Sequence, residues 1–156
     1  MRLFQTFVFI FFLISGKSQV SQNIEFEQSK GKWPFPILHF TKFINEEQRT
    51  STVNDFAHKG IIFIPNQIDS VKAVFKGVVI TIFPLGDDFV VMTNYGDYFI
   101  SYVNLDKPTV KKGDLINQGQ FLGILSTSPG QLELMLTNRN NKEFDPYEWF
   151  NWDAKH

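Results

Sequence analysis

From Gly60 onward the sequence is a series of short apolar, β-branched runs, and this pattern constrains the fold more than any other feature. The runs predict strands at 61–64, 71–74, 77–83, 89–94, 98–104, 121–125 and 131–137. Glycine, asparagine and proline separate them, as at 84–87 and 94–97, where tight turns are expected. Near the end, Asp145 followed by Pro146 predicts the cap and first position of a short helical turn over 145–150. Many short strands separated by turns indicate an all-β sandwich.

Composition restricts the possible functions further. The chain has 156 residues, which suits one domain. It contains no cysteine, so disulfides, thiolate zinc sites and cysteine nucleophiles are excluded. The formal net charge is -1 and the sequence has no block of lysine and arginine. Nucleic-acid binding therefore has no electrostatic support.

The first residues have the features of an export signal. Arg2 is followed by an unbroken apolar run over 7–14, and Gly16 and Ser18 are the small residues that a cleavage site requires. The alternative is a membrane anchor, but a span needs about 20 apolar residues. We predict a signal peptide over 1–18, secretion across the inner membrane to the periplasm, and no membrane span after cleavage.

The remainder divides into three parts. Residues 19–30 are polar and weakly patterned, and we expect a flexible lead-in there. The folded domain is predicted over 31–150, beginning with an extended segment at the two prolines of 33–36. Within it, 45–57 is expected to be a long loop or one short helix. Residues 151–156 are expected to be a tail.

Several segments follow the order of motifs in a known family. They begin with Gly-Lys-Trp-Pro-Phe-Pro-Ile at 31–37 and end with Asp-Pro-Tyr-Glu-Trp-Phe at 145–150. The intervening segments are His-Lys-Gly at 58–60, Val-Lys-Ala-Val-Phe-Lys-Gly-Val-Val at 71–79, Tyr-Val-Asn-Leu at 102–105, Val-Lys-Lys-Gly-Asp at 110–114, Gly-Gln-Phe-Leu-Gly at 119–123 and Gln-Leu-Glu-Leu at 131–134. Residues 31–150 thus resemble the lysostaphin/LytM-type peptidoglycan metallopeptidase domain. The resemblance implies an antiparallel β-sandwich of the duplicated-hybrid-motif type.

The resemblance also implies where a catalytic site would lie. Enzymes of this family hold zinc with a histidine, an aspartate four residues later and the second histidine of a His-x-His strand, while two further histidines assist the attacking water. The corresponding residues of this chain are His58, Ile62, Glu133, Asn104 and Gln131. Of these, His58 alone keeps the residue type of the family.

The replacements predict a pseudoenzyme. Ile62 has no lone pair, and Glu133 with His58 makes two ligands where a catalytic zinc ion needs about three. Asn104 and Gln131 donate hydrogen bonds but do not transfer protons near neutral pH. We therefore predict no catalytic residue, no metal and no cofactor, and we interpret the five positions as a vestigial site or docking cleft. Each position also has a simpler interpretation. His58 is then only a hydrogen-bonded histidine, Gln131 and Glu133 are the solvated face of a strand, and Asn104 is a turn residue.

Among family members the chain is most similar to the degenerate murein-hydrolase activators. That resemblance implies a periplasmic amidase or another cell-wall hydrolase as the partner, although 19–30 is too short for the coiled coil that such activators carry. Three alternatives remain: a peptidoglycan- or glycan-binding module, a residual zinc metalloendopeptidase using His58 and Glu133, and a lipoyl-type hammerhead domain. A lipoyl-type hammerhead domain needs a lysine at a hairpin tip, and the candidate hairpin tips of this chain carry none.

Overall fold

The computed structural model describes residues 18–44, 59–125 and 130–155. These residues form one α-helix and eleven strands: α1 Gln19–Glu27, β1 Phe40–Ile44, β2 Ile61–Pro65, β3 Asp69–Lys72, β4 Gly77–Leu85, β5 Asp88–Tyr95, β6 Tyr98–Leu105, β7 Lys107–Pro108, β8 Leu115–Ile116, β9 Phe121–Leu125, β10 Leu132–Asn138 and β11 Glu143–Phe144. Two 3-10 helices follow, Pro146–Trp149 and Trp152–Lys155. The predictions for 1–17, 45–57 and His58 lie outside the described residues.

The strands form two antiparallel sheets, which confirms the predicted all-β class. The large sheet has the order β1-β2-β10-β6-β5-β4-β8, with β11 paired to β10, and the small sheet has the order β3-β9-β7. The predicted turn over 145–150 is a 3-10 helix, and the Asp145 side chain caps it by accepting the Tyr147 N–H at 2.9 Å. Within the described ranges, no helix is long and apolar enough to cross a bilayer.

The core lies on one face of the large sheet because its strands alternate. Leu132, Leu134 and Leu136 of β10 point to this face and are buried. Tyr102 of β6 pairs with Leu134 and is fully buried beside it. Its hydroxyl accepts the Val74 N–H at 2.9 Å, and burial raises the pKa of this phenol, so it stays protonated. Tyr102 thereby joins the large sheet to the segment after β3.

Trp33 joins the two ends of the domain. It forms a parallel bridge with Phe150, donating its N–H to the Trp149 carbonyl at 2.8 Å and accepting the Asn151 N–H at 3.0 Å. Its ring is fully buried, and its Nε1 donates to Ser29 Oγ at 2.8 Å. The extended segment predicted over 33–36 is therefore part of the core.

The structure differs from the expected flexible lead-in over 19–30. Residues Gln19–Glu27 form α1, which packs on the β5–β6 hairpin through Phe26. The Phe26 ring is fully buried and stacks on Tyr98 with centroids 4.2 Å apart. Asn23 exchanges two hydrogen bonds with Asp97, one from its Nδ2 at 2.7 Å and one from the Asp97 N–H at 2.8 Å. Phe26 is the one apolar residue of α1 that is buried, whereas Val20 and Ile24 are exposed, so hydrophobic periodicity gave too weak a signal.

The tail expected over 151–156 also differs from the structure. Trp152 begins a 3-10 helix and stacks on Tyr147 with ring centroids 4.5 Å apart. Its Nε1 donates to the Tyr147 carbonyl at 2.9 Å. The folded domain therefore extends beyond both predicted limits.

We predict that Phe26→Ala lowers the free energy of unfolding by about 3 kcal/mol or more, because a fully buried ring is removed. Urea denaturation of the purified protein measures this change. Val20→Ala, at a side chain on the same helix that is 68% exposed, is the matched control and should leave the midpoint unchanged. Equal midpoints for both variants would mean that α1 does not contribute to the core.

Candidate functional site

Three neighbouring strands place Ile62 and Glu133 beside each other. Ile62 of β2 is the Cα partner of Glu133 of β10, and Glu133 is the partner of Val103 of β6. Directly paired residues point to the same face of a sheet, and this face lies opposite the core. A Cβ at Gly60 would lie 3.0 Å from Glu133 Oε1, so the carboxylate lies against the backbone at the start of β2.

Asn104 occupies a bulge at the end of β6. Its neighbours Val103 and Leu105 pair with the consecutive residues Val90 and Phe89, so Asn104 is the extra residue. Its φ is +74°, which asparagine adopts more readily than most residues. Its Nδ2 donates to the Gln131 carbonyl at 3.0 Å. The side chain therefore joins the end of β6 to the segment that enters β10.

Of the five residues predicted for the site, the structure describes four. Ile62, Asn104, Gln131 and Glu133 come from adjacent strands or their ends and lie near one edge of the outer face. His58 is outside the described residues. His39 lies elsewhere and has Nδ1 3.3 Å from Asp69 Oδ2.

The described residues at this position do not fit a catalytic zinc ion. Ile62 offers no lone pair, and amide groups such as those of Asn104 and Gln131 are not zinc's usual nitrogen or carboxylate ligands. Glu133 is the one carboxylate in this set. Across ranges 18–44, 59–125 and 130–155, no three histidine, aspartate or glutamate residues form a group that could hold a metal ion.

The sheet register shows an apolar row that the sequence did not predict. Starting from Ile62 and Glu133, the row continues through Val103, its partner Val90, and Phe83 on β4. It crosses five strands, and Ile62, Phe83 and Glu133 are far apart in sequence. The alternation of side chains along each strand shows only that these residues face away from the core. Strand order was needed to bring them together.

Carboxylates lie close together at the hairpin that ends this row. Asp88 faces the same side as Phe83 and Val90, since it lies two residues from Val90 on β5. The pKa of Asp88 is raised by burial and, to a smaller extent, by the negative charges of Asp106 and Asp87. The edge of the outer face between β4 and β6 is therefore acidic.

The family assignment follows from the sequence profile. The profile of peptidase family M23 matches residues 56–146, more than half of the chain. This chain belongs to peptidase family M23. The match confirms the resemblance drawn from the motifs. None of the curated proteins matches the chain.

Solved structures share the fold of this M23 domain. Helicobacter pylori Csd3 has 12% identity and a TM-score of 0.59, covering 76% of this chain and 34% of Csd3. A chain of the SpoIIQ–SpoIIIAH pore-forming complex has 18% identity and a TM-score of 0.60. The match covers 76% of this chain and 90% of the chain in that complex. The catalytic domain of the prophage-encoded M23 protein EnpA from Enterococcus faecalis has 20% identity and a TM-score of 0.56, covering 74% and 92%. This chain thus spans about a third of Csd3.

We predict that Asn104→Ala destabilises the domain by about 1–2 kcal/mol, because alanine adopts positive φ poorly and loses the bond to Gln131. Asn104→Gly keeps the backbone conformation and should cost less, since only the hydrogen bond is lost. Thermal and urea unfolding of both variants measure the difference. A stable Asn104→Ala variant would contradict the structural role of this residue.

Proposed function

We propose that this M23 domain is an exported pseudopeptidase that regulates cell-wall hydrolases by binding them. The proposal rests on the pairing of Ile62 with Glu133. At the point where a family enzyme needs a metal ligand, this chain has an aliphatic side chain on the same face as its carboxylate. Ligand replacement by isoleucine removes a lone pair and fills the position with methyl groups.

The acid–base positions support the same proposal. Asn104 holds a bulge through its bond to Gln131, so its amide has a structural partner. Neither amide takes up a proton near neutral pH, whereas a histidine does. Metal binding and proton transfer depend on different residues, and both sets are altered in this chain.

Protein binding is the function that such a face retains. At the β4–β5 end of this face, the exposed side chains of Phe83 and Leu85 offer apolar contact area without any requirement for a metal. A structure similar in fold, SpoIIQ, is known in a complex with SpoIIIAH, which supports the use of this fold for binding proteins. The expected mechanism is a population shift, in which this domain binds the active conformation of a hydrolase more tightly than the inactive one.

The proposed location is the periplasm, after cleavage of residues 1–18. The apolar run over 7–14 and the small residues Gly16 and Ser18 support export. Peptidoglycan hydrolases, and above all amidases, are the partners that this location would provide.

The decisive experiment adds the purified protein to each periplasmic amidase of the source organism and follows release of dye from labelled peptidoglycan. We expect a higher amidase rate with this protein present and no release by this protein alone. Retention on purified sacculi without any change in amidase rate would instead favour the glycan-binding alternative. Cleavage of cross-linked peptidoglycan by this protein alone would contradict the proposal.

Metal analysis gives an independent prediction. We expect that the wild-type protein carries no stoichiometric zinc after purification, and that Ile62→Asp combined with Glu133→His binds zinc more tightly, because both changes restore family ligands. Inductively coupled plasma mass spectrometry and zinc titration measure this. Ile62→Val is the matched control and should behave as wild type. Stoichiometric zinc in the wild-type protein would support a residual metallopeptidase.

A further inference from the structure

The tip of the β4–β5 hairpin exposes apolar side chains on the same face as the vestigial site. Phe83 is 40% exposed and Leu85 is 52% exposed. Both point to the outer face, because Phe83 pairs with Val90 and Leu85 lies two residues further along β4. Val90 and Val103 continue the row inward and are nearly buried. The exposed end of the row is therefore the hairpin tip.

The same tip carries negative charge. Asp87 lies in the turn, Asp88 pairs with Leu85, and Asp106 follows the end of β6 close enough to raise the pKa of Asp88 after the larger effect of burial. Glu133 adds a carboxylate within the row. Lys107 is the neighbouring cation in sequence, and it belongs to the small sheet, where it pairs with Ile124. A cation from a partner would relieve the repulsion among the three aspartates.

We propose that the tip of the β4–β5 hairpin binds a short segment of a partner protein that carries both basic and apolar side chains. The apolar side chains contact Phe83 and Leu85, and the basic ones lie beside Asp87, Asp88 and Asp106. The inference rests on the proposed binding function and adds the chemistry of the partner. A glycan strand has neither the positive charge nor the apolar side chains that this surface complements.

The test uses two short fluorescent peptides, one composed of phenylalanine and lysine and the other of phenylalanine and glutamate. Fluorescence anisotropy with the wild-type protein should show binding of the lysine peptide and at least about tenfold weaker binding of the glutamate peptide. The affinity for the lysine peptide should fall as salt is raised, since exposed charges are screened. Equal binding of both peptides, or of neither, would overturn the proposal.

Variants locate the surface. Phe83→Ser and Leu85→Ser should each lower the affinity for the lysine peptide by about tenfold, which corresponds to the loss of one partly buried apolar contact. The double variant Asp87→Asn, Asp88→Asn should lower this affinity about threefold to tenfold and reduce its salt dependence. The raised pKa of Asp88 indicates that neutralising it will not unfold the domain.

Matched controls lie on other surfaces. Leu115 is 79% exposed on β8, at the opposite end of β4, and Asp153 is exposed near the C-terminus. Leu115→Ser and Asp153→Asn should bind the lysine peptide as wild type does. Equal losses in the control and hairpin variants would overturn the proposal.

The amidase assay separates this inference from the proposed function. Charge-dependent peptide binding at the hairpin in a protein that leaves amidases unaffected would support this inference and count against regulation of amidases. If the Phe83, Leu85 and aspartate variants activate an amidase as strongly as the wild-type protein does, the regulatory function is supported. The proposal that the hairpin tip is the binding surface would then be wrong.

Discussion

The burial of Trp33 against Phe150 is the contact on which the rest of the structure depends. It joins the segment before β1 to the segment after β11, with backbone hydrogen bonds of 2.8 and 3.0 Å on either side of the ring. Phe26 of α1 packs on the same indole with ring centroids 5.6 Å apart. Both the segment before β1 and the segment after β11 therefore enter one aromatic cluster.

The separation of the two faces explains how a hydrolytic site could be altered without loss of the fold. Leu132 and Leu134 of β10 point into the core, and Glu133 between them points out. A substitution at an outward position changes the chemistry of the face and leaves the packing beneath it intact. Ile62 and Glu133 are therefore free to differ from the family ligands, provided that Phe63 and Leu134 stay apolar.

The outer face combines two features that act on partners in different ways. In the proposed binding mode, the exposed Phe83 and Leu85 supply contact area, while the aspartates of the hairpin tip select the sign of the charge that approaches. Asn104 contributes to both indirectly, because the bulge that it forms sets the register between β5 and β6. Asn104 is thus a structural element of this face.

The sequence by itself determined the all-β class, the main strands, the capped turn at Asp145 and the family, because alternation, turn residues and ordered motifs are local signals. It also led to the hypothesis that Ile62, Asn104, Gln131 and Glu133 replace site residues of the family, which stays a prediction. Only the tertiary structure decided that Gln19–Glu27 is a docked helix, because Phe26 finds its partners far away in sequence. The row from Ile62 to Phe83 likewise needed strand order, which is set by pairing between distant segments and leaves no periodic trace in any one of them.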